Sequence, residues 1–355
     1  MLINCLKNLF RCFFCYKIAL MLTNKQFYNK KTPIIMKKVL LSAVAALLLF
    51  SCQNDQTAES TDSNVSAITH RRCASQEVLE AQLKADPMLA IRMNEIEAFT
   101  SKQLLNGFTG RLVNGKIEIP VVVNVLYRTT AQNISTAQIQ SQIDVLNKDF
   151  NALNSDYNSV PALFAGVKAN VGITFVLDQV IRKSTTKTSW GTNDAMKKTA
   201  QGGLAPTSPT TKLNLWSCVI GGDILGYAQF PGGSSATDGV VIDYRFFGLS
   251  GSANAPFNLG RTGTHEVGHW MNLRHIWGDA TCGSDLVSDT PTHNDPNFGV
   301  PAYPHYSTCS GTPVEMTMNY MDYTDDNGMY MFTTGQKNRM AAIFVTGGAR
   351  ASFGI

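Results

Sequence analysis

The sequence predicts an α/β domain, a mixed sheet with helices packed on it, spanning residues 112–355. Three observations carry that reading. IEIPVVVNVLY (117–127) is apolar enough for a buried strand, and STAQIQSQIDVLNKDFN (135–151) follows with helical spacing, so the two make a βα unit. Runs of β-branched or alternating apolar residues recur at 172–178, 212–219 and 238–244. Finally, a chain of 355 residues with 44% hydrophobic and 16% charged content can bury a large core.

The chain before that domain has its own organisation. From Met36 it reads MKKVLLSAVAALLLFSCQND, two lysines ahead of twelve apolar or small residues. A bilayer-spanning helix needs about 20 such residues, so the run fits the h-region of an export signal, residues 36–52. LLLFSC also resembles a bacterial lipoprotein signal, in which Cys52 becomes the lipid-modified first residue of an outer-membrane or cell-surface protein; an ordinary cleaved signal is the alternative. Residues 1–35 read as an extension upstream of the working start. Residues 53–70 are polar and read as a tether. The formal charge of +4 is misleading, because residues 1–51 hold eight of the 30 Lys and Arg and no Asp or Glu. The remaining 22 basic against 26 acidic residues give a nucleic-acid partner no electrostatic support.

SQEVLEAQLKADPMLAIRMNEIEAF (75–99) has apolar residues at spacings of three and four, interrupted by Pro87, and predicts short helices. Asn106-Gly107 and Gly110 then mark a boundary, which makes 71–111 a separate segment. In the domain itself, Ser135 and Gln138 form a capping box ahead of Ile139, Ile143, Leu146 and Phe150. FTTGQKNRMAAIF (332–344) closes the chain as a helix capped by Thr333 and Gln336.

HEVGHWMNLRH (265–275) carries the chemistry. A helix through about Met271 places His265 and His269 one turn apart on one face, and Glu266 projects about 100° away. Neutral imidazoles hold Zn²⁺ while leaving a position open, and the ion lowers the pKa of its water to about 7. Glu266 can take that water's proton and hand it to a leaving amine. The chain has only six histidines, and three of them surround this glutamate.

The pattern resembles the metzincin metalloproteases, whose motif HExxHxxGxxH has glycine where this chain has Asn272. Glycine there permits a left-handed bend, a conformation that asparagine tolerates well. MNYMDYTDD (318–326) resembles the Met-turn of the pappalysin branch, which implies Met321 beneath the ion and Tyr323 facing it. The resemblance implies further features. LGYAQF (225–230) would be the strand, through Gly226, Tyr227 and Ala228, that pairs with an extended substrate. Asp285, Asp289 and the Thr290 carbonyl would be calcium donors, and Cys282 would pair with Cys309. RRCASQEV (71–78) would present Cys73 to the metal as a zymogen switch, with an exposed thiol or a disulfide to Cys218 as alternatives. Activation cleavage would fall between Asn106 and Lys116, with Arg111 a target. Asp322, Asp325 and Asp326 hint at basic residues after the scissile bond. The implied fold is an upper subdomain of mixed sheet and long helices, a lower irregular subdomain after His275, and a cleft between them. The function expected is a monomeric, exported zinc endopeptidase on protein or peptide substrates, attached to membrane only by its lipid. A zinc- or peptide-binding surface protein without turnover, or an amidase on small or cell-wall peptides, are the rivals.

Overall fold

A computed structural model describes residues 68–106 and 117–353. The export signal with Cys52, the tether up to residue 67, and the expected cleavage segment with Arg111 lie outside the described residues. Residues 68–355 group as one unit, so residues 68–106 pack with the α/β domain.

Its elements follow the expected order. Helices α1 (Ser75–Ala85) and α2 (Pro87–Asn106) come first, then β1 (Ile117–Tyr127), α3 (Thr136–Asp149), β2 (Lys168–Ala169) and β3 (Ile173–Ser184). After them run β4 (Leu213–Cys218), β5 (Gly226–Ala228), β6 (Val240–Asp243), α4 (Arg261–Trp270), β7 (Phe332–Thr333) and α5 (Thr334–Ala342). Five strands form a sheet in the order β3-β1-β4-β6-β5. All pairs are parallel except β5 with β6. That antiparallel strand stands at the sheet's edge, and the site is built along it.

Both faces of the sheet are covered, as a parallel sheet requires. Ile139, Ile143 and Leu146 of α3 and Phe150 just past its end pack with Val121, Val123 and Val125 of β1 and with Val267 and Trp270 of α4 in the main core. On the opposite face Val78 of α1 joins Trp190, Trp216 and Tyr227.

Three local expectations are corrected. Strand β3 runs six residues past Asp178, because the pairing with β1 skips one residue between Val121 and Val122 and Asp178 is the extra one. Its carboxylate leaves the ladder for Lys212 at 2.7 Å. The break expected at Pro87 is there, between α1 and α2, but the second helix is not short: Pro87 opens it at a first-turn position that needs no N–H donor, and it continues for 20 residues. Finally, the Ser135 side chain caps α3 through the Gln138 N–H, but Gln138 does not reciprocate. Its amide donates instead to the Phe247 carbonyl at 2.9 Å and ties α3 to the loop before α4.

Cys282 and Cys309 are bonded, 27 residues apart in sequence, in the irregular region after α4. Cys73 and Cys218 are both free and buried, which removes the alternative in which they pair. In the chain-entropy model the bond stabilises by about 3 to 4 kcal/mol. Denaturant titration of Cys282→Ser should show a loss of that order, and an unchanged midpoint would refute it.

Candidate metal centre

Helix α4 begins where Gly260 turns left-handed at φ 75°. The Asp326 carboxylate accepts from the N–H groups of Leu259 at 2.7 Å and Arg261 at 3.2 Å, serving as an anionic cap. One helical turn separates His265 from His269, and their Nε2 atoms lie 3.2 Å apart. The helix ends at Trp270, and Asn272 adopts the left-handed conformation at φ 74°. That bend returns His275 to the same point, its Nε2 3.0 Å from that of His269.

Each ring is oriented from behind. His265 Nδ1 donates to the Tyr320 carbonyl at 2.7 Å, His269 Nδ1 to the Leu273 carbonyl at 2.8 Å, and His275 Nδ1 to the Asp279 carboxylate at 2.5 Å. These partners only accept, so the protons sit on Nδ1 and the three Nε2 lone pairs face one another. Burial holds His265 well below its ordinary pKa and His269 at about 3, so both stay neutral. Tetrahedral zinc with Zn–N bonds of about 2.0–2.1 Å needs nitrogens about 3.3 Å apart, close to what the rings provide. The donor set therefore fits a zinc ion, and facing lone pairs are repulsive without a cation.

Cys73 stands beside this cluster. Its sulfur and the three imidazoles lie within 4.8 Å of one another, the only such group of metal-capable side chains among the described residues. Burial and the nearby Glu266 carboxylate push the thiol well above its ordinary pKa; a divalent ion beside it would reverse that. Glu266 is enclosed as well. Its Oε2 accepts from Ser75 Oγ at 2.9 Å and from the Cys73 thiol at 3.2 Å. Burial lifts its pKa to about 7 despite those bonds. A Cβ at Gly226 would lie 2.8 Å from the Val241 carbonyl and 3.0 Å from Glu266, so only glycine lets the edge strand pass so close.

Met321 is fully buried against α4, where a Cβ on Gly268 would strike its sulfur at 2.5 Å. The Tyr323 ring lies 4.9 Å from His275, and its hydroxyl donates to the Cys73 carbonyl at 3.0 Å while accepting the Cys73 N–H at 3.2 Å. Trp277 stacks on His275 at 4.3 Å. Residues 72–75 run parallel beside β5: the Leu225 N–H donates to the Arg72 carbonyl, the Ala74 N–H to Gly226, and the Ala228 N–H to Ser75 Oγ. Tyr227 points into the core, its hydroxyl bonded to Asp194, so the edge offers only main chain there.

The remaining expected residues separate. Asp285 accepts from Thr290 Oγ1 at 2.9 Å and the Val287 N–H, and Asp289 accepts from Thr333 Oγ1 and the Gly335 N–H at the start of α5. Asp322 is turned inward and held by Asn297, so it forms no wall. Asp326 instead receives Arg71 at 2.6 Å, a buried pair joining residues 255 positions apart. Reading the sequence missed this pair, Asp279 and Ser75, none of which has a local signature.

Comparison with known proteins places these features. Residues 223–345 match the model of the family described as pregnancy-associated plasma protein-A. An extracellular metalloprotease of Pyricularia oryzae is 32% identical over 296 residues, 79% of this chain and 92% of its own length. Extracellular metalloprotease 1 of Coccidioides posadasii is 32% identical over 237 residues, 64% of this chain and 78% of its own. Among solved structures, mature mirolysin of Tannerella forsythia in complex with a cleaved peptide matches with 44% identity and TM-score 0.66, covering 68% of this chain and 96% of that one. A promirolysin mutant from the same organism matches with 40% identity and TM-score 0.73, covering 79% and 96%.

The bend at Asn272 makes a direct test possible. Its buried side-chain N–H₂ has no partner, so Asn272→Gly removes a strained Cβ and an unsatisfied donor together and should match or exceed the native Tm. Asn272→Ala should cost about 1–2 kcal/mol, the usual penalty for a Cβ in this region. A less stable glycine variant would contradict the account.

Proposed function

Given that the chain belongs to the pregnancy-associated plasma protein-A family of peptidases and is a zinc metalloprotease, we propose that it is an exported endopeptidase made as an inactive precursor. His265, His269 and His275 hold the ion. The observation that carries this reading is the convergence of three buried Nε2 lone pairs, each with its Nδ1 proton already committed. When bound, zinc supplies Lewis acidity and an acidified water. Glu266 accepts that proton and passes it to the leaving amine. Tyr323, its hydroxyl freed from the Cys73 main chain, donates to the developing oxyanion. Burial keeps the phenol protonated, well above its ordinary pKa, as a donor requires. Substrate lies along Gly226–Ala228 by main-chain hydrogen bonds.

Residues 71–111 are the inhibitory pro-segment. Its hold covers every part of the machinery: Cys73 takes the open coordination position, Ser75 ties down Glu266, and residues 72–75 occupy the edge strand. Arg71 marks a preference as well. Its guanidinium reaches Asp326 at 2.6 Å, the Thr324 carbonyl at 3.1 Å and Thr262 Oγ1 at 3.2 Å, a pocket suited to an arginine beside the scissile bond. Export with a lipid on Cys52 completes the proposal.

Digestion of a peptide library by the activated protein tests it. Cleavage should cluster at arginine, stop with chelator, and fall by at least about 10²-fold in Glu266→Ala; cleavage unaffected by chelation would overturn the metal reading. In the uncleaved precursor, Cys73→Ala should release activity that the native precursor lacks. A mutant precursor as silent as the native one would remove Cys73 from the switch.

A further inference from the structure

Helix α4 has a charged station at each end, and the pro-segment fills both. The first is the Arg71–Asp326 pair, at the helix N-terminus. The second lies just past Trp270. There the Asn272 carbonyl accepts from Arg339 Nε at 2.8 Å, and the same guanidinium grips the two oxygens of Glu97, on α2, at 2.7 and 2.5 Å. Arg339 is only 1% exposed. Although burial opposes it, this grip and the charge of nearby Arg274 hold the Glu97 carboxyl below its ordinary range. A cavity of about 260 Å³ adjoins the pair, lined on the catalytic side by Phe230, Pro231, Asn272 and Arg274. Phe230 follows the edge strand and its ring lies 5.3 Å from the His269 ring, so one wall of the cavity packs against the metal centre.

We propose that Arg339, with Arg274, forms a subsite for an acidic side chain of the substrate, across the scissile bond from the arginine pocket, and that Glu97 occupies it in the precursor. The proposal rests on the endopeptidase reading. Three features support it. A guanidinium presenting two parallel N–H groups matches a carboxylate better than any neutral group. Asn272 already fixes that guanidinium through Nε, so little freedom is lost when a ligand arrives. And once α2 departs, Arg339 loses the only carboxylate bonded to its terminal nitrogens among the described residues and keeps only the more distant charge of Asp285, a costly state for a cation set into a protein surface. Spacing limits where the acidic residue sits. The ten residues of α4 span about 15 Å at 1.5 Å each. An extended chain at about 3.3 Å per residue covers that in roughly four to five residues.

The test uses the activated wild-type protein and peptides sharing one cleavable arginine, with Glu, Gln or Lys placed in turn two to six residues away across the scissile bond. At one or two adjacent positions, Glu should raise kcat/KM about tenfold over Gln, as a charge-assisted bidentate bond allows, with Lys the poorest. Arg274→Ala and Arg339→Lys should each shrink the Glu-to-Gln ratio, and high salt should shrink it too. Equal kcat/KM for Glu, Gln and Lys at every position would overturn the subsite and leave the Arg339–Glu97 pair as a docking contact alone. Failure to cleave any peptide would instead sink the endopeptidase reading, so the two failures are distinguishable.

Discussion

Three imidazole nitrogens with their lone pairs turned toward a common point are an arrangement that folding must enforce, because nothing in the rings themselves favours it. The enforcement is visible in the backbone. A helical turn aligns His265 and His269, a left-handed residue at 272 swings His275 back, and each Nδ1 is given an acceptor that dictates where the proton sits. The acceptors differ in kind. Two are neutral carbonyls close to the helix and the Met-turn, and the third is the Asp279 carboxylate. The ring with the charged partner is the one on the loop, where main-chain rigidity is least able to fix it. Trp277 stacked on that ring and Met321 under the helix complete the enclosure.

On the proposed reading, the same compactness lets a short segment block the whole site. Glu266, Tyr323, the open metal position and the edge strand all lie within reach of residues 71–75, so one extended stretch meets each with a different atom. Cys73 offers sulfur to the metal position and its main chain to Tyr323. Ser75 holds both Glu266 and the Ala228 N–H. Glu266, buried under this cover with its pKa lifted to about 7, has its Oε2 occupied by the Ser75 hydroxyl and the Cys73 thiol.

Much of this was legible in the residues. The i, i+4, i+10 histidines, the tolerance of asparagine for a left-handed bend, the Met-turn segment and the capping box at Thr333 and Gln336 are local signals, and they survive into the structure as local geometry. The sheet's strands were legible where their apolar runs were continuous. Past Asp178, β3 turns polar because it is the opposite edge of the sheet and needs no buried face. The ion pairs Arg71–Asp326 and Arg339–Glu97 were not legible at all. Each joins side chains more than 240 residues apart, and a single charged residue carries no periodicity to announce its partner. Asp326 shows the limit well: its position in an acidic cluster suggested a role in cation recognition, and only the fold separates it from Asp322, which is structural.

If residues 71–106 act as the proposed pro-segment, how they hold on also bears on how they can let go. Among the described side chains of α1 and α2, only Ser75, Val78, Leu89 and Thr100 are fully buried, while Met88, Ile91, Leu104 and Leu105 remain exposed. Thirty-odd residues with so little apolar area removed from water gain little hydrophobic stabilisation. Their grip comes instead from Arg71 on Asp326, Arg92 on the Gly232 carbonyl, and Glu97 on Arg339, together with the Cys73–Ser75 contacts in the cleft. Such contacts are directional and strong while the chain is continuous. Once the chain is cut, the helices must supply their own ordering entropy. A segment anchored mainly by polar points can therefore be specific enough to silence the site yet weakly enough packed to depart, and each point it vacates is left as a feature of the mature cleft.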